Sequence, residues 1–459
     1  MIYVLLRAIG GVALRWYYAD VTVTFAPSGD GDERPPLDGP LLVVVNHPNA
    51  LVDVLVAARA VPRRLMFTAK ATLFSNPIAG ALLSWIGVVP LRRLRDEGGG
   101  ADPARNAEGF AAVSNALARG RAILIFPEGK THDEPALAPL RTGAARMALA
   151  AREAGLPRGL WILPIGLVFE RKDAPRSRIL AVVGQALDVA SWHSRNPATA
   201  VAELTAEIDA RLRAVTLNYE SANEAAVDSL LAVQIATLVR YESPSVGAPG
   251  DLRDQTAVAR LLPAIRSAMR SASPEIAQRA SAFQRDLEAL QKELDTNGIS
   301  LDDLAISRGI REGAIFVIRE ALILVTAGPV ALWGWLNHVI PFRAAFMIAG
   351  RVREDDADPA MRTILAGTVL VLLVYLIQGA VVALMVGPWW ATGYVASLPA
   401  AADINLRFRD RLERARRRAR TYLLFRARAD LHRDLEFVAR RLRGEALALA
   451  RATDAVGAA

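Results

Sequence analysis

The chain contains no cysteine among its 459 residues. Disulfide bonds, thiolate metal ligands and a cysteine nucleophile are therefore excluded. The start of the chain also lacks the features of a signal peptide, because Arg7 and Arg15 interrupt its apolar run and no small-residue cleavage site follows. We expect residues 1–20 to form an interfacial helix, with Trp16, Tyr17 and Tyr18 at headgroup level. An ordinary helix packed on a domain is the alternative.

A nucleotide-binding P-loop is missing as well, although the tripeptide GKT begins at Gly129 after the apolar run AILIF (122–126). The P-loop motif needs a glycine five residues before Gly129, and Leu124 occupies that position. In addition, Pro127 has no N–H, and Glu128 would set a carboxylate against the phosphates. A membrane NTPase is therefore a disfavoured interpretation.

Charge is missing from one long stretch, Thr363–Ala402. The mean hydropathy of the chain is +0.24 and its formal net charge is +8. Arginines outnumber acids from Asp403 onward, and a dense basic run follows at Arg414, Arg416, Arg417, Arg418 and Arg420. Basic residues beside an apolar span are typical of membrane anchoring. We therefore expect membrane lipids, and not nucleic acid, as the partner of this region.

Two apolar stretches, Ala321–Pro341 and Thr363–Trp390, are long enough to span a bilayer at ~1.5 Å per residue. Two buried helices of a soluble domain are the alternative. Two spans would place Phe342–Arg362 across the membrane from the N-terminal domain and the basic tail. Because that loop contains arginines such as Arg343 and Arg351, a hairpin that enters and leaves from the cytoplasmic face is a second possibility.

Short β-branched runs alternate with helical patterns from residue 20 to about 190, which predicts an α/β domain. Helical patterns cover Pro103–Arg119 and Thr142–Ala154. Strands are predicted at 21–25, 41–45, 65–69, 87–91, 122–126, 161–169 and 179–184.

The segment NHPNALVD follows the second predicted strand and contains His47 and Asp53. A strand-end histidine with a carboxylate downstream can serve as a general base, because the carboxylate fixes the tautomer and stabilises the imidazolium. By itself this pair is a weak signal. The order of this segment and FPEG (126–129) on one α/β domain is far more specific.

With these motifs in this order, the chain resembles the glycerol-phosphate and lysophosphatidate acyltransferase family. The matching blocks are NHPNALVD, GVVPLRR (87–93), FPEG with a downstream LRTG (140–143), and LPIGLVF (163–169). The resemblance implies a central mixed sheet flanked by helices, followed by a helical region and C-terminal membrane-spanning helices. It covers roughly residues 1–190.

The resemblance also implies roles for individual residues. His47 would be the general base, and Asp53 would orient it. Glu128 would hold an acceptor hydroxyl, and N–H groups near Gly129 would stabilise the oxyanion. The remaining acceptor-binding candidates are basic: Arg93, Arg92, Arg141 and Lys70. No metal or other cofactor is expected, and acyl-CoA or acyl carrier protein would act as co-substrate.

The spacing between His47 and Asp53 departs from most of the family, with five intervening residues where four are usual. On a helix this shift would rotate the aspartate by about 100°. Pro48 suggests that His47 instead lies in a loop that absorbs the extra residue. One branch of glycerol-3-phosphate acyltransferases has this longer spacing, and Asn49 and the pair His132–Asp133 match it. Glycerol 3-phosphate is therefore the favoured acceptor, and lysophosphatidate or another lysophospholipid is the alternative.

These observations predict five segments and a location in the cytoplasmic membrane, with the catalytic domain facing the cytoplasm. They are an interfacial helix (1–20), a glycerolphosphate acyltransferase domain (21–195), a helical connector or cap (196–315), a membrane region with two hydrophobic spans (316–402) and a basic helical cytoplasmic tail (403–459). A non-enzymatic, membrane-anchored lipid-binding protein is the alternative from another functional class.

Overall fold

The computed structural model describes residues 2–26, 38–91, 103–155, 159–240, 251–270, 274–351 and 359–457. These residues divide into two compact units. The first comprises Met1–Glu220 with Ala345–Thr368, and the second comprises Ser221–Ala344 with Val369–Ala459. The acyltransferase-like unit thus extends beyond the predicted boundary at residue 195.

The first unit is built on one mixed sheet. Its strands are β1 (Asp20–Phe25), β2 (Leu41–Val45), β3 (Leu65–Lys70), β4 (Val89–Leu91), β5 (Ala122–Ile125), β6 (Trp161–Phe169), β7 (Arg178–Val183) and β8 (Leu187–Asp188). The order in the sheet is β1-β7-β6-β2-β5-β3-β4, and β8 pairs with β6. The first seven strands confirm the prediction from the apolar runs. β8 was not predicted, because two residues are too short for a pattern.

Helices cover both faces of this sheet. They are α1 (Ile2–Tyr17), α2 (Ala50–Ala60), α3 (Pro77–Ile86), α4 (Pro103–Ala118), α5 (Gly143–Glu153) and α6 (Ala200–Val215). Alternate residues of β2 enter two separate cores: Val43 packs with α1 and α2, and Val44 packs with α4, α5 and α6. All five residues of β2 are fully buried, as its unbroken LLVVV run predicts for a central strand covered on both faces.

The tyrosines of the N-terminal segment are not at headgroup level. Tyr17 and Tyr18 are buried in the core beneath the sheet, together with Leu14. The expectation for these two side chains is therefore wrong, and the end of α1 packs on the domain. The beginning of α1 differs, because Val4 and Leu5 are exposed.

The second unit is helical. Its helices are α7 (Ala222–Arg240), α8 (Leu252–Arg270), α9 (Pro274–Asn297), the greater part of α10 (Ile310–Arg351), most of α11 (Pro359–Met385), α12 (Pro388–Ala427) and α13 (Ala429–Gly457). One core contains Leu238 of α7, Leu287 of α9 and Leu435 of α13. The predicted tail and the predicted connector therefore share a core and are not separate segments.

Three helices of the described residues are long and apolar enough to cross a membrane: α7, α10 and α11. Within the most apolar 18-residue stretch of each helix, only 6% of α10 and 11% of α11 is buried. The predicted single span Thr363–Trp390 is wrong at its end, because α11 stops at Met385. Gly387 adopts a φ of 115°, and Pro388 begins the next helix.

The described residues on either side of the connection between α10 and α11 pack with the unit that contains His47; the side of the membrane on which the connection lies stays a prediction. Ala345–Thr368 belongs to the same compact unit as His47. Ala360 and Ile364 are buried in the core that contains Tyr17, and Phe346 stacks on Tyr17 with ring centroids 6.4 Å apart.

Candidate active site

The sheet topology brings the two principal motifs to one edge. β2 and β5 are parallel neighbours in which Val44 lies beside Ile125. His47 follows the carboxyl end of β2, and Glu128 follows the carboxyl end of β5. The two motifs, 81 residues apart in sequence, therefore meet, and the N–H of His47 donates a hydrogen bond to Glu128 Oε1 at 2.8 Å.

His47 and Asp53 form a buried pair despite the five-residue spacing. The distance from His47 Nδ1 to Asp53 Oδ2 is 2.9 Å, and the Asp53 side chain is completely buried. Since a carboxylate accepts, Nδ1 carries the proton and the lone pair of the neutral ring lies on Nε2. Nε2 makes no hydrogen bond with another described residue, and 14% of the His47 side chain is exposed. The arrangement orients the ring and leaves Nε2 able to accept a proton; the role of His47 as general base stays a prediction.

The loop that contains His47 absorbs the extra residue, as Pro48 predicted. α2 begins only at Ala50, after the loop. Ala50 has a φ of 42°, a left-handed conformation that disfavours residues other than glycine. The N–H of Asn49 donates to Asp53 Oδ2 at 2.7 Å. The loop thus turns sharply enough to aim both His47 and Asn49 at one carboxylate oxygen.

Two further contacts fix the position of the histidine. The His47 ring stacks on Phe126, with centroids 3.7 Å apart and an interplanar angle of 11°. The side chain of Asn46 donates to Leu167 O at 3.1 Å and accepts from Leu167 N–H at 2.7 Å. Phe126, directly after β5, and Leu167 of β6 therefore both contribute to the orientation of the loop.

Glu128 is buried, with 2% of the residue exposed, and its carboxylate is already occupied by protein donors. Oε1 accepts from His47 N–H, while Oε2 accepts from Ala138 N–H at 2.8 Å and contacts His132 Nε2. The role of Glu128 in holding an acceptor hydroxyl stays a prediction. What the structure shows is a link between the two motifs.

Gly129 lies in a tight turn after β5, with a φ of 73°. Its own N–H donates to Phe126 O at 3.1 Å. A Cβ atom at this position would lie 3.3 Å from Cγ of Arg141, so the arginine packs directly over the glycine. The role of N–H groups near Gly129 toward an oxyanion stays a prediction, and the N–H of Gly129 itself is bonded within the turn.

The structure describes the basic acceptor-binding candidates to different extents. Arg141 is exposed, and its guanidinium makes no hydrogen bond or ion pair with another described residue. Lys70 ends β3, a parallel neighbour of β5, so its backbone lies at the edge that contains His47. Arg92 and Arg93 follow the end of β4 and lie outside the described residues. Among the side chains that the structure describes, no group of three His, Asp or Glu residues is arranged as metal ligands.

Lys172 and Tyr18 are site neighbours that sequence reasoning missed. Lys172 Nζ donates to Pro48 O at 3.2 Å and pairs with Asp133. Tyr18 OH donates to Lys172 O at 2.7 Å and accepts from Asn49 Nδ2 at 3.0 Å. Burial raises the pKa of the Tyr18 phenol, so the hydroxyl stays protonated and can donate. Two of these contacts, from Lys172 to Pro48 and from Tyr18 to Lys172, join residues more than a hundred positions apart, and no local sequence pattern predicts them.

Comparisons with known proteins agree with the motifs. Residues 29–168 match the family model described as Acyltransferase. Over 135 residues the chain is 31% identical to glycerol-3-phosphate O-acyltransferase 2 of Saccharomyces cerevisiae. This alignment covers 28% of this chain and 18% of the yeast protein. Over 144 residues it is 28% identical to a chloroplastic 1-acyl-sn-glycerol-3-phosphate acyltransferase of Brassica napus, covering 31% of this chain and 37% of the plant protein.

The chain thus spans less than half the length of each of these relatives. A crystal structure of the 1-acyl-sn-glycerophosphate acyltransferase from Thermotoga maritima aligns with a TM-score of 0.34 and 18% identity, covering 47% of this chain and 78% of that chain. Residues 29–168 of this chain are a domain of the acyltransferase family.

Proposed function

We propose that the protein is a membrane-bound O-acyltransferase of glycerolipid synthesis, which moves an acyl chain from acyl-CoA or acyl carrier protein to glycerol 3-phosphate. The observation that carries the proposal is the 2.9 Å contact between His47 Nδ1 and Oδ2 of the buried Asp53, which leaves the lone pair of His47 Nε2 for a substrate. This pair lies within a domain of the acyltransferase family.

The proposed reaction needs no covalent enzyme intermediate. His47 Nε2 takes the proton of a glycerol hydroxyl while the oxygen attacks the thioester carbonyl carbon. Asp53 stabilises the imidazolium that forms. When the tetrahedral intermediate collapses, the carbon–sulfur bond breaks, the thiolate leaves, and His47 returns the proton to it. The products are an acylated glycerol phosphate and the free thiol of the carrier.

The acceptor phosphate is assigned to the basic residues at the same edge of the sheet. Arg141 supports this assignment because its exposed guanidinium has no partner among the described residues. Arginine suits a phosphate because its planar fork forms two parallel hydrogen bonds. Arg93 or its neighbour Arg92, and Lys70, complete the proposed acceptor site, because each lies at or directly after the carboxyl end of a neighbouring parallel strand.

Glycerol 3-phosphate is proposed over lysophosphatidate because of the His47–Asp53 spacing and the pair His132–Asp133. The yeast relative is named as a glycerol-3-phosphate acyltransferase and the plant relative as a 1-acylglycerol-3-phosphate acyltransferase. The test is acyl transfer from labelled acyl-CoA to each acceptor, measured side by side with the purified full chain and with His47→Ala as the control. Faster transfer to lysophosphatidate would reverse the choice, and transfer to neither would contradict the proposed activity.

Membrane attachment is proposed through α10 and α11, whose apolar surfaces are largely exposed. We place His47 and the connection between these helices on the cytoplasmic side, since the flanks of the connection pack in the acyltransferase core. Arg343, Arg351 and Arg362 are favourable on that side.

The topology can be checked with single cysteines, because the chain has none of its own. We expect Ala357→Cys and Ala154→Cys, a position on the acyltransferase unit, to behave alike toward an impermeant thiol reagent. Both should be protected in intact cells and react after lysis. Labelling of position 357 alone in intact cells would place the connection across the membrane.

A further inference from the structure

His132 and Asp133 follow FPEGKT, and neither is needed as the proposed base. Both nevertheless contact residues that hold the loop His47–Asn49. We propose that they are positioning residues that brace this loop, His132 through Glu128 and Asp133 through Lys172. The catalytic part of this inference rests on the proposed function, whereas the brace itself is a matter of geometry.

The His132 arm is buried and its proton can be located. Glu134 N–H donates to His132 Nδ1 at 3.2 Å, so Nδ1 is an acceptor and the neutral ring carries its proton on Nε2. Nε2 then donates to Glu128 Oε2. The exposed fractions of these side chains are 11% for His132 and 1% for Glu128. A donor to a buried carboxylate makes a strong hydrogen bond, because the charge has little water to compensate it.

Glu128 passes this constraint to the base. Its other oxygen accepts the N–H of His47 itself at 2.8 Å, so a rotation of the Glu128 carboxylate displaces the backbone that carries the imidazole. Ala138 N–H also donates to Glu128 and limits this rotation, but it approaches the same oxygen that His132 contacts. When His132 is lost, only the N–H of Ala138 remains of these two donors to Glu128 Oε2.

The Asp133 arm is weaker because it is exposed. Asp133 pairs with Lys172, but 75% of the Asp133 side chain is accessible to solvent. Such a pair contributes little, because water screens it. Lys172 holds the loop more directly, through Pro48 O at 3.2 Å and through its own carbonyl, which accepts from Asn49 Nδ2 at 3.2 Å.

The loop has a reason to need this support. Ala50, directly after it, has a φ of 42° that costs energy in a residue with a Cβ atom. The surrounding contacts must hold this conformation, and a misplacement of about 1 Å at a reacting group can cost about 10²-fold in rate. The inference therefore predicts unequal effects, with His132 ahead of Asp133.

The kinetic test compares His132→Ala, His132→Gln and Asp133→Asn in the full chain. We expect His132→Ala to lower kcat by about 10- to 100-fold, with the KM for the acceptor within about twofold. Glutamine places an amide N–H near the position of Nε2 and should restore most of the rate. Asp133→Asn should stay within about threefold. The control is His193→Ala, since His193 is exposed and bonds only to Ser191 O among the described residues.

A second readout does not depend on activity. Amide hydrogen exchange of the segment 46–49 should quicken by about tenfold or more in His132→Ala and stay unchanged in His193→Ala, because the His47 N–H loses a firmly held acceptor. In addition, His132→Ala should cost nothing further in a His47→Ala background, because it acts only through His47.

Unchanged exchange at 46–49 would overturn the brace, and so would a higher KM for the acceptor at constant kcat, which would place His132 on the substrate. If the unaltered chain transferred no acyl group to either acceptor, the proposed function would fail. The exchange measurement would still decide about the brace.

Discussion

Two histidines of this chain, His47 and His338, differ in how their ring nitrogens are bonded. His47 bonds through Nδ1 to Asp53 and leaves Nε2 without a hydrogen bond among the described residues. His338, in α10, is completely buried and uses both nitrogens, with Nδ1 2.7 Å from Gly334 O and Nε2 2.7 Å from Tyr375 OH.

The difference separates the proposed general base from a histidine whose two nitrogens are both bonded. Gly334 O can only accept, so Nδ1 of His338 donates to it, and Nε2 must then accept from the Tyr375 hydroxyl. His338 has no lone pair left to take a proton, and its partners are neutral. His47 retains a lone pair and has a carboxylate that stabilises the charged ring. The two residues are thus distinguished by the state of the second ring nitrogen and by the charge of the hydrogen-bond partner.

The largest effect is expected where the reactive histidine is removed. We expect His47→Ala to lower acyl transfer by about 10²- to 10⁴-fold, the usual contribution of a general base. The variant should remain folded and bound to membranes, because the histidine side chain is partly exposed. Turnover with labelled acyl-CoA and a thermal unfolding curve are the measurements. A variant that kept most of its turnover would show that another group is the base.

The comparison can be sharpened by replacing the charged partner of His47, Asp53, with a neutral one, since both partners of His338 are neutral. Asp53→Asn removes the carboxylate that stabilises the imidazolium. We expect a loss of about 10- to 100-fold in kcat, since a hydrogen bond to a charged group is worth about 1.5–3 kcal/mol. The KM for the acceptor should change little. An unaltered kcat would mean that Asp53 holds the loop, through Asn49 N–H, without assisting the base.

The surroundings of the two histidines differ as well, because the exposed guanidinium of Arg141, near the edge of the sheet that contains His47, makes no hydrogen bond or ion pair with another described residue. We expect Arg141→Ala to raise the KM for the phosphate-bearing acceptor by about tenfold while the KM for acyl-CoA stays within twofold. Arg93→Ala should behave in the same way, and an increase of this KM in Arg92→Ala alone would make Arg92 the phosphate ligand instead. An effect confined to acyl-CoA would move the phosphate site elsewhere.

The sequence predicted the elements of the acyltransferase unit better than it predicted their contacts. Unbroken apolar runs revealed the central strands, and the resemblance placed His47, Asp53 and Glu128 at one site before their geometry was known. The contacts of Lys172 with Pro48 and Asn49 depend on tertiary packing, which no local periodicity encodes. The spans were predicted from hydropathy, which does not register a backbone break such as the one at Gly387.

The packing of the second unit was hidden for a related reason. The basic composition after Asp403 predicted a basic helical cytoplasmic tail, and it gave no indication that α13 buries Leu435, Ala439 and Leu442. Its apolar residues lie on one helix face, which a count of arginines does not reveal. The density of basic residues therefore predicted the exposed face of α13 and did not predict its buried apolar face.

The smallest effect on activity is expected at the structural histidine. We expect His338→Ala and Tyr375→Phe to leave acyl transfer within about twofold of the unaltered chain, because neither side chain lies in the unit that contains His47. Their contribution should appear in stability instead. Interhelical hydrogen bonds between apolar helices have coupling energies of about 0.6 kcal/mol on average and about 1.7 kcal/mol at most.

A double-mutant cycle on thermal unfolding in detergent measures this coupling, and it separates the lost hydrogen bond from the cavity that His338→Ala leaves. Tyr375→Phe alone removes only the hydroxyl, so it reports on the bond with little change in volume. The two substitutions should be less than additive, because either one breaks the same contact. Full additivity would mean that the contact contributes nothing to stability. A loss of activity from Tyr375→Phe would instead show that His338 is coupled to catalysis, and the distinction between the two histidines would then fail.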